Sequence, residues 1–245
     1  MAPPTIVLLH GFTQSGRSWA ETVAALGERY RALAPDLRGH GAAAALRPVT
    51  FGTIGADVLG LASAERAERF TLAGYSMGGR IALDLALRDG GAAQARIERL
   101  VLIGASPGIA GDGERAARRV ADEALAQELE RDGIEAFARR WAAQPLFADQ
   151  PPAVAARAHA ERLRASPAGL AASLRGVGTG AMEPLWERLG ELTVPVALIV
   201  GERDAKFRAI AERMAVDIPD VTVHVVPGAG HAVQLERPEA VAALL

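Results

Sequence analysis

Six short apolar runs recur along the chain, TIVLLHG, YRALAPD, FTLAG, ERLVLIG, PVALIVG and VTVHVVPG, each bounded by turn residues. They are strand-length and rich in Val, Ile and Leu on both faces instead of alternating with polar positions. That pattern predicts strands buried on both sides, as in a parallel sheet. Between them apolar positions recur at the helical period, as in SWAETVAALGERY and GGRIALDLALRDG. Strand alternating with helix predicts an α/β fold, a mostly parallel sheet flanked by helices. The alternation stops at about Gly108 and resumes at Val194. Between these points the pattern is helical and charged, as in GERAARRVADEALAQELERDGIEAFARRWAAQ, with prolines near Gln144–Pro152 marking a break. A helical insertion between two strands of one sheet must pack over its edge or end. Residues 109–181 are therefore expected to form a lid, or cap, over a core of residues 1–108 and 182–245. No repeat at solenoid spacing is found.

Composition narrows the function classes. Half of the 245 residues are hydrophobic, enough for one large core. A net charge of −2 gives no reason to expect nucleic acid or an anionic membrane as partner. No cysteine is present, which excludes disulfides and thiolate chemistry. MAPPTIVLLHGF lacks a basic leader and a long apolar run, so a signal peptide is not expected, and no stretch approaches the ~20 apolar residues of a membrane span. A cytoplasmic protein is the expectation. Oligomeric state is left open by the pattern, and a monomer is compatible with it. The chain writes its cations as arginine throughout, with one exception, Lys206 in GERDAKFRAI.

Chemistry enters at Gly74-Tyr75-Ser76-Met77-Gly78, where a strand pattern runs into a helix pattern. This is G-x-S-x-G in the strand–turn–helix setting of a nucleophile elbow, whose glycines allow a turn tight enough to lift the serine clear of the sheet. A reactive serine needs a base, and the base an orienting acid. The histidines are His10, His40, His159, His224 and His231. His224 lies within a strand pattern, His159 on the lid, and His10 and His40 in LLHGF and DLRGHG as loop-shaping groups. His231 follows a strand in PGAGHA, beyond the carboxyl end of the sheet, where open parallel sheets gather their sites. Asp204 follows the preceding strand in the same way. The order Ser76, Asp204, His231 is that of the α/β-hydrolase fold, an order that the rival acid Asp36 breaks. The backbone N–H groups of Phe12 and Met77 are the expected oxyanion hole.

The segments GYSMGGRIAL, GERAARRVADEALA, FARRWAAQPLF, LRASPAGLA, GERDAKFRAIA and GAGHAVQLERP run in order from the serine almost to the end of the chain. Together they resemble the 2-succinyl-6-hydroxy-2,4-cyclohexadiene-1-carboxylate synthases of menaquinone biosynthesis, within the α/β-hydrolase superfamily. HGF, Trp19 and DLRGHG are shared far more widely among α/β hydrolases. The resemblance implies an α/β-hydrolase fold with its lid inserted after the sixth-type strand. It also implies a cofactor-independent, metal-free carbon–oxygen lyase that expels pyruvate from 2-succinyl-5-enolpyruvyl-6-hydroxy-3-cyclohexene-1-carboxylate. In that chemistry Ser76, polarised by His231 with Asp204 behind it, abstracts a ring proton and forms no acyl-enzyme. The partner implied is a small substrate with several carboxylates, which needs cations converging from several elements. Carried over residue by residue, the substrate-binding positions are Tyr75, Arg80, Arg118, Trp141, Arg164 and Lys206. Arg115 and Arg119 rival Arg118, and Arg162 rivals Arg164. Ala110–Gly180 holds ten arginines against ten acids, so most of these must be surface pairs. The chain enters its first strand within a few residues of Met1, so the antiparallel strands that usually open this fold are expected to be absent, and the final helix, PEAVAALL, to be short. The alternative is a generic serine hydrolase, an esterase or carbon–carbon bond hydrolase, sharing the triad but using water; a non-catalytic binding protein on the same scaffold is a third class.

Overall fold

The computed structural model describes residues 3–245. Six strands, β1 (Thr5–Leu9), β2 (Arg31–Leu33), β3 (Phe70–Tyr75), β4 (Ile97–Ile103), β5 (Val196–Gly201) and β6 (Val221–Val226), lie on the six apolar runs, with β3 and β4 each extending one residue beyond its run. They make one sheet in the order β2-β1-β3-β4-β5-β6, with every pairing parallel. The helices are α1 (Ala20–Leu26), α2 (Phe51–Ala64), α3 (Met77–Leu87), α4 (Asp112–Ala142), α5 (Pro152–Arg162), α6 (Pro167–Val177), α7 (Ala205–Asp217), α8 (Val233–Glu236) and α9 (Pro238–Leu244).

Two apolar layers explain why the inner strands do not alternate. Val7, Leu9, Leu72, Leu100, Leu102 and Leu198 join Ile54 and Val58 of α2, Ile81 of α3 and Met214 of α7 in one cluster. Their neighbours Ile6, Leu8, Ala73, Val101, Ile103 and Ile199 join Trp19, Leu26 and Val241 in another, where α1 and α9 pack. Truncating one of these fully buried side chains, such as Leu72, is expected to cost about 2–5 kcal/mol. β6 departs from the double-sided burial read in VTVHVV. It is an edge strand, and Val225 is left exposed on it.

Between β4 and β5 lie α4, α5 and α6. They bury a third cluster, in which Ala126, Leu129 and Phe137 of α4 meet Leu170, Ala171 and Leu174 of α6. α4 breaks once, at Gly133, whose φ of 79° suits a residue without a Cβ. Half of the ten arginines here, Arg115, Arg131, Arg140, Arg157 and Arg175, make surface ion pairs. Arg175, for example, forks to Glu123 at 2.8 Å and Glu130 at 2.6 Å. The strand order reverses between β1 and β3, the switch point at which open parallel sheets build sites beyond their carboxyl ends.

Candidate active site

Ser76 joins β3 to α3 with φ 51° and ψ −107°. A residue held there costs roughly 1–3 kcal/mol and persists only where its surroundings over-determine it. Here the Ser76 N–H donates to the Ile103 carbonyl at 2.8 Å, and the Arg80 N–H closes the first turn on the Ser76 carbonyl at 3.0 Å. A Cβ on Gly74 would lie 2.3 Å from the Gly78 carbonyl oxygen, and one on Gly78 2.2 Å from that of Leu9. Both glycines of the motif are therefore steric requirements of the turn.

His231 brings Nε2 to 3.4 Å from Ser76 Oγ, while its Nδ1–H donates to Asp204 Oδ2 at 2.7 Å. The second oxygen, Asp204 Oδ1, accepts the Phe207 N–H at 3.1 Å, so the acid is held from behind by the first turn of α7. Asp204 and His231 are buried. The long Ser76–His231 contact is typical of a site without substrate, where such bonds tighten only on binding. Asp36, the rival acid, instead accepts the Gly16 and Ala42 N–H groups at 2.8 and 2.7 Å and organises loops. Three rings surround the imidazole, with centroids at 4.5 Å for Phe207, 5.3 Å for Tyr75 and 6.2 Å for Phe147.

Phe12, after β1, and Met77, at the start of α3, line the same cavity as Ser76 and His231. The N–H groups of Phe12 and Met77 donate to no acceptor among the described residues. Beneath Phe12 the buried rings of His10 and His40 stack edge-on, 5.0 Å apart, and the Phe12 ring rests on His40 at 5.8 Å. Leu37 donates its N–H to His10 Nε2 at 3.0 Å, so the proton sits on Nδ1, which donates to the Gly11 carbonyl at 2.9 Å. Burial pulls His10 down to about 4 and His40 to about 3. Both are neutral struts of the Phe12 loop.

Ser76 and His231 lie where two cavities meet, one of about 1030 Å³ and one of about 290 Å³. Arg80 and Arg118 line the larger, with Lys206 at its α7 wall. Arg80 is buried and donates to the Val177 carbonyl at 2.8 Å. No carboxylate pairs with it among the described residues. Burial, with the like charge of Arg118 behind it, pulls its guanidinium down to about 10, so it stays charged at neutral pH. Arg118 donates through Nε to the buried Asp122 at 2.7 Å. Its rival Arg115 is taken up by Asp112 at 2.9 Å and lines neither cavity. Lys206 is exposed at the rim without an ion-pair partner among the described residues, its Nζ 5.9 Å from the centre of the Phe207 ring. Trp141 lines both cavities and packs on Phe12 at 5.1 Å.

The smaller cavity distinguishes the two arginines at the end of α5. Arg164 is exposed and lines neither space; Arg162 lines the smaller cavity with Tyr75. Arg162 ends α5 pointing inward, and the helical turn rotates the residue two places on toward solvent. Burial lowers the Arg162 guanidinium, and its Nε–H has no acceptor among the described residues. Burial, aided by the Asp204 and Glu236 carboxylates, pushes the Tyr75 phenol up, which keeps it a neutral donor. Phe207, Phe147 and Arg203 were not singled out from the sequence. Phe207 stands within the GERDAKFRAI segment, but only the start of α7 turns it over His231. No group of three or more His, Asp or Glu residues that could hold a metal ion occurs among the described residues.

A doubly wound parallel sheet, a strained serine elbow and a Ser–His–Asp relay in this chain order define an α/β hydrolase, and the Alpha/beta hydrolase family matches residues 6–244. Within it, a Bacillus subtilis (strain 168) protein provisionally named 2-succinyl-6-hydroxy-2,4-cyclohexadiene-1-carboxylate synthase is 38% identical, over 97% of this chain and 87% of its own. A Klebsiella pneumoniae subsp. pneumoniae protein with the same synthase name is 33% identical over 99% and 92%. Among solved structures, MenH from S. aureus superposes with a TM-score of 0.92 at 33% identity, covering 98% of this chain and 91% of that one. The chain belongs to the family of these synthases.

Proposed function

We propose that the protein is a lyase of menaquinone biosynthesis, acting in the cytoplasm, that converts 2-succinyl-5-enolpyruvyl-6-hydroxy-3-cyclohexene-1-carboxylate to 2-succinyl-6-hydroxy-2,4-cyclohexadiene-1-carboxylate and pyruvate. Family membership supports the reaction. The observation that carries it to this site is Arg80, a buried cation one helical turn from Ser76 with no directly paired carboxylate among the described residues. Such a group is costly unless an anion completes it. Arg118, Arg162 and Lys206 reach the same two cavities from other elements, as a substrate with several carboxylates requires. Residues 109–181 act as the cap that brings Arg118, Trp141 and Arg162 over the triad.

The proton beside the succinyl carbonyl passes to Ser76 Oγ as the serine proton passes to His231 Nε2, with Asp204 holding the imidazole through Nδ1. The Phe12 and Met77 N–H groups meet the charge that develops on the carbonyl oxygen. As the enolate collapses to the diene, the bond between ring carbon and enolpyruvyl oxygen breaks. His231 returns its proton to the leaving group, which tautomerises to pyruvate, and Ser76 regains a neutral hydroxyl. Purified protein given the enolpyruvyl substrate is expected to release pyruvate, and Ser76→Ala to lower kcat by about 10²–10⁴-fold. Pyruvate at the background rate, with rapid turnover of simple aryl esters, would overturn the lyase reading in favour of a hydrolase.

A further inference from the structure

Asp204 and His231 stand on different loops, one after β5 and one after β6; Asp204 is anchored as the N-cap of α7, whereas His231 lies in a turn before α8. A buried carboxylate that the triad does not use joins them. The Glu236 side chain, at the end of α8, is 2% exposed. Its Oε2 accepts the Gly230 N–H at 2.8 Å and the Arg203 guanidinium at 2.9 Å. Gly230 immediately precedes the base, and Arg203 immediately precedes the acid. The backbones also touch. The Arg203 N–H donates to the Ala229 carbonyl at 2.9 Å, and a Cβ on Gly201 would lie 2.1 Å from the Gly230 oxygen. These contacts set how close the loops come. They leave the rotation of the His231 peptide about its loop to the one side chain that grips Gly230.

We propose that the Arg203–Glu236 pair is a positioning device for the catalytic base, fixing the Gly230–His231 peptide so that Nε2 faces Ser76 Oγ while Nδ1 stays on Asp204. Neither residue needs to touch the reacting atoms. Glu236 holds the base loop, and the guanidinium keeps that buried carboxylate aimed at the Gly230 N–H. A carboxylate at this depth without its cation is left with a single N–H partner, which favours a swing outward to solvent. Arg203 is the less buried member, its side chain 36% exposed, so its removal is the milder test of the fold. Displacing a catalytic group by about 1 Å costs on the order of a hundredfold in rate.

The inference rests on the triad assignment and not on the lyase chemistry, and its test separates the two. Ser76 is challenged with a small neutral fluorophosphonate, from which its oxygen displaces fluoride while its proton passes to His231; adduct formation is followed by intact mass. Arg203→Met and Glu236→Gln are each expected to slow labelling about tenfold or more. They should lower kcat for pyruvate release in parallel, with KM changed less than about threefold and the thermal midpoint nearly unchanged. The double variant should be no slower than the slower single one, as for two residues acting as one unit. Arg203→Lys should recover part of the rate. Labelling within about twofold of wild type in both single variants, losses that multiply in the double variant, or losses that track a fall in thermal midpoint would overturn the proposal. So would a wild-type serine inert to the probe. A wild-type protein that labels briskly but releases no pyruvate would sink the lyase reading alone.

Discussion

Acidification from pH 7 to pH 5 should weaken this fold through two particular side chains. His10 and His40 are buried beneath Phe12 and held neutral, at about 4 and about 3, whereas an imidazole in the unfolded chain titrates near ~6.5. A folded pKa below the unfolded one means that the stability is complete above pH 6.5 and is lost as the pH falls toward 4, because only the unfolded chain takes up the protons. The loss is about 1.4 kcal/mol per pH unit per ring once the unfolded imidazole is protonated. Between pH 7 and 5 that amounts to about 2 kcal/mol for each histidine and about 4 kcal/mol for the pair. Set against a typical total of about 5–15 kcal/mol, this is a large share. Urea unfolding followed by far-UV circular dichroism at pH 7, 6 and 5 measures it. His40→Phe keeps a ring against His10 and Phe12 and removes one titration, so the variant should lose about 2 kcal/mol less than wild type over the same interval. Carboxylates that titrate in the same range do so in both proteins and cancel in the comparison. Parallel stability losses in the two proteins would refute the reasoning.

The arginine pair at the end of α5 separates without reference to mechanism. Arg162→Met should lower kcat/KM for the anionic substrate by about 30-fold or more, the range for a desolvated charge contact, whereas Arg164→Met should leave steady-state kinetics within about twofold. Lys206→Met should raise KM a few-fold at low ionic strength and much less at high salt, with kcat little changed, because an exposed rim cation attracts substrate through a screened field. Arg80→Met is expected to abolish most turnover while the thermal midpoint holds or rises, since an apolar side chain replaces a buried charge that has no direct ion pair among the described residues.

Much of this architecture is carried by local pattern. The runs of the four inner strands, β1, β3, β4 and β5, lack polar alternation because those strands are buried on both faces, while β2 and β6 lie at the edges of the same parallel sheet. G-x-S-x-G was legible because its glycines answer to sterics within a few residues, between Gly74 and Gly78 and between Gly78 and Leu9. Asp204 and His231 were legible because each follows a strand at the carboxyl end of the sheet, and chain order with strand direction suffices to place them there. The edge position of β6, by contrast, is absent from VTVHVV, whose composition suits a central strand equally well; sheet order alone exposes Val225.

Arg162 and Arg164 show where local reading stops. Both are arginines in one R-L-R stretch, and which of them meets the cavity depends on the rotation of α5 about its axis, a quantity fixed by packing of the lid. The same holds for Phe207, which lies over His231 only because the Asp204 carboxylate starts α7 at that point. It holds also for Arg203 and Glu236, 33 residues apart and joined by one carboxylate oxygen. Strand pattern, elbow and triad order are matters of short-range sterics and chain direction, and those are written in the sequence. Which cations turn inward, and what holds His231 against Asp204, are long-range contacts whose energies exist only once the sheet, α7 and the lid have packed together.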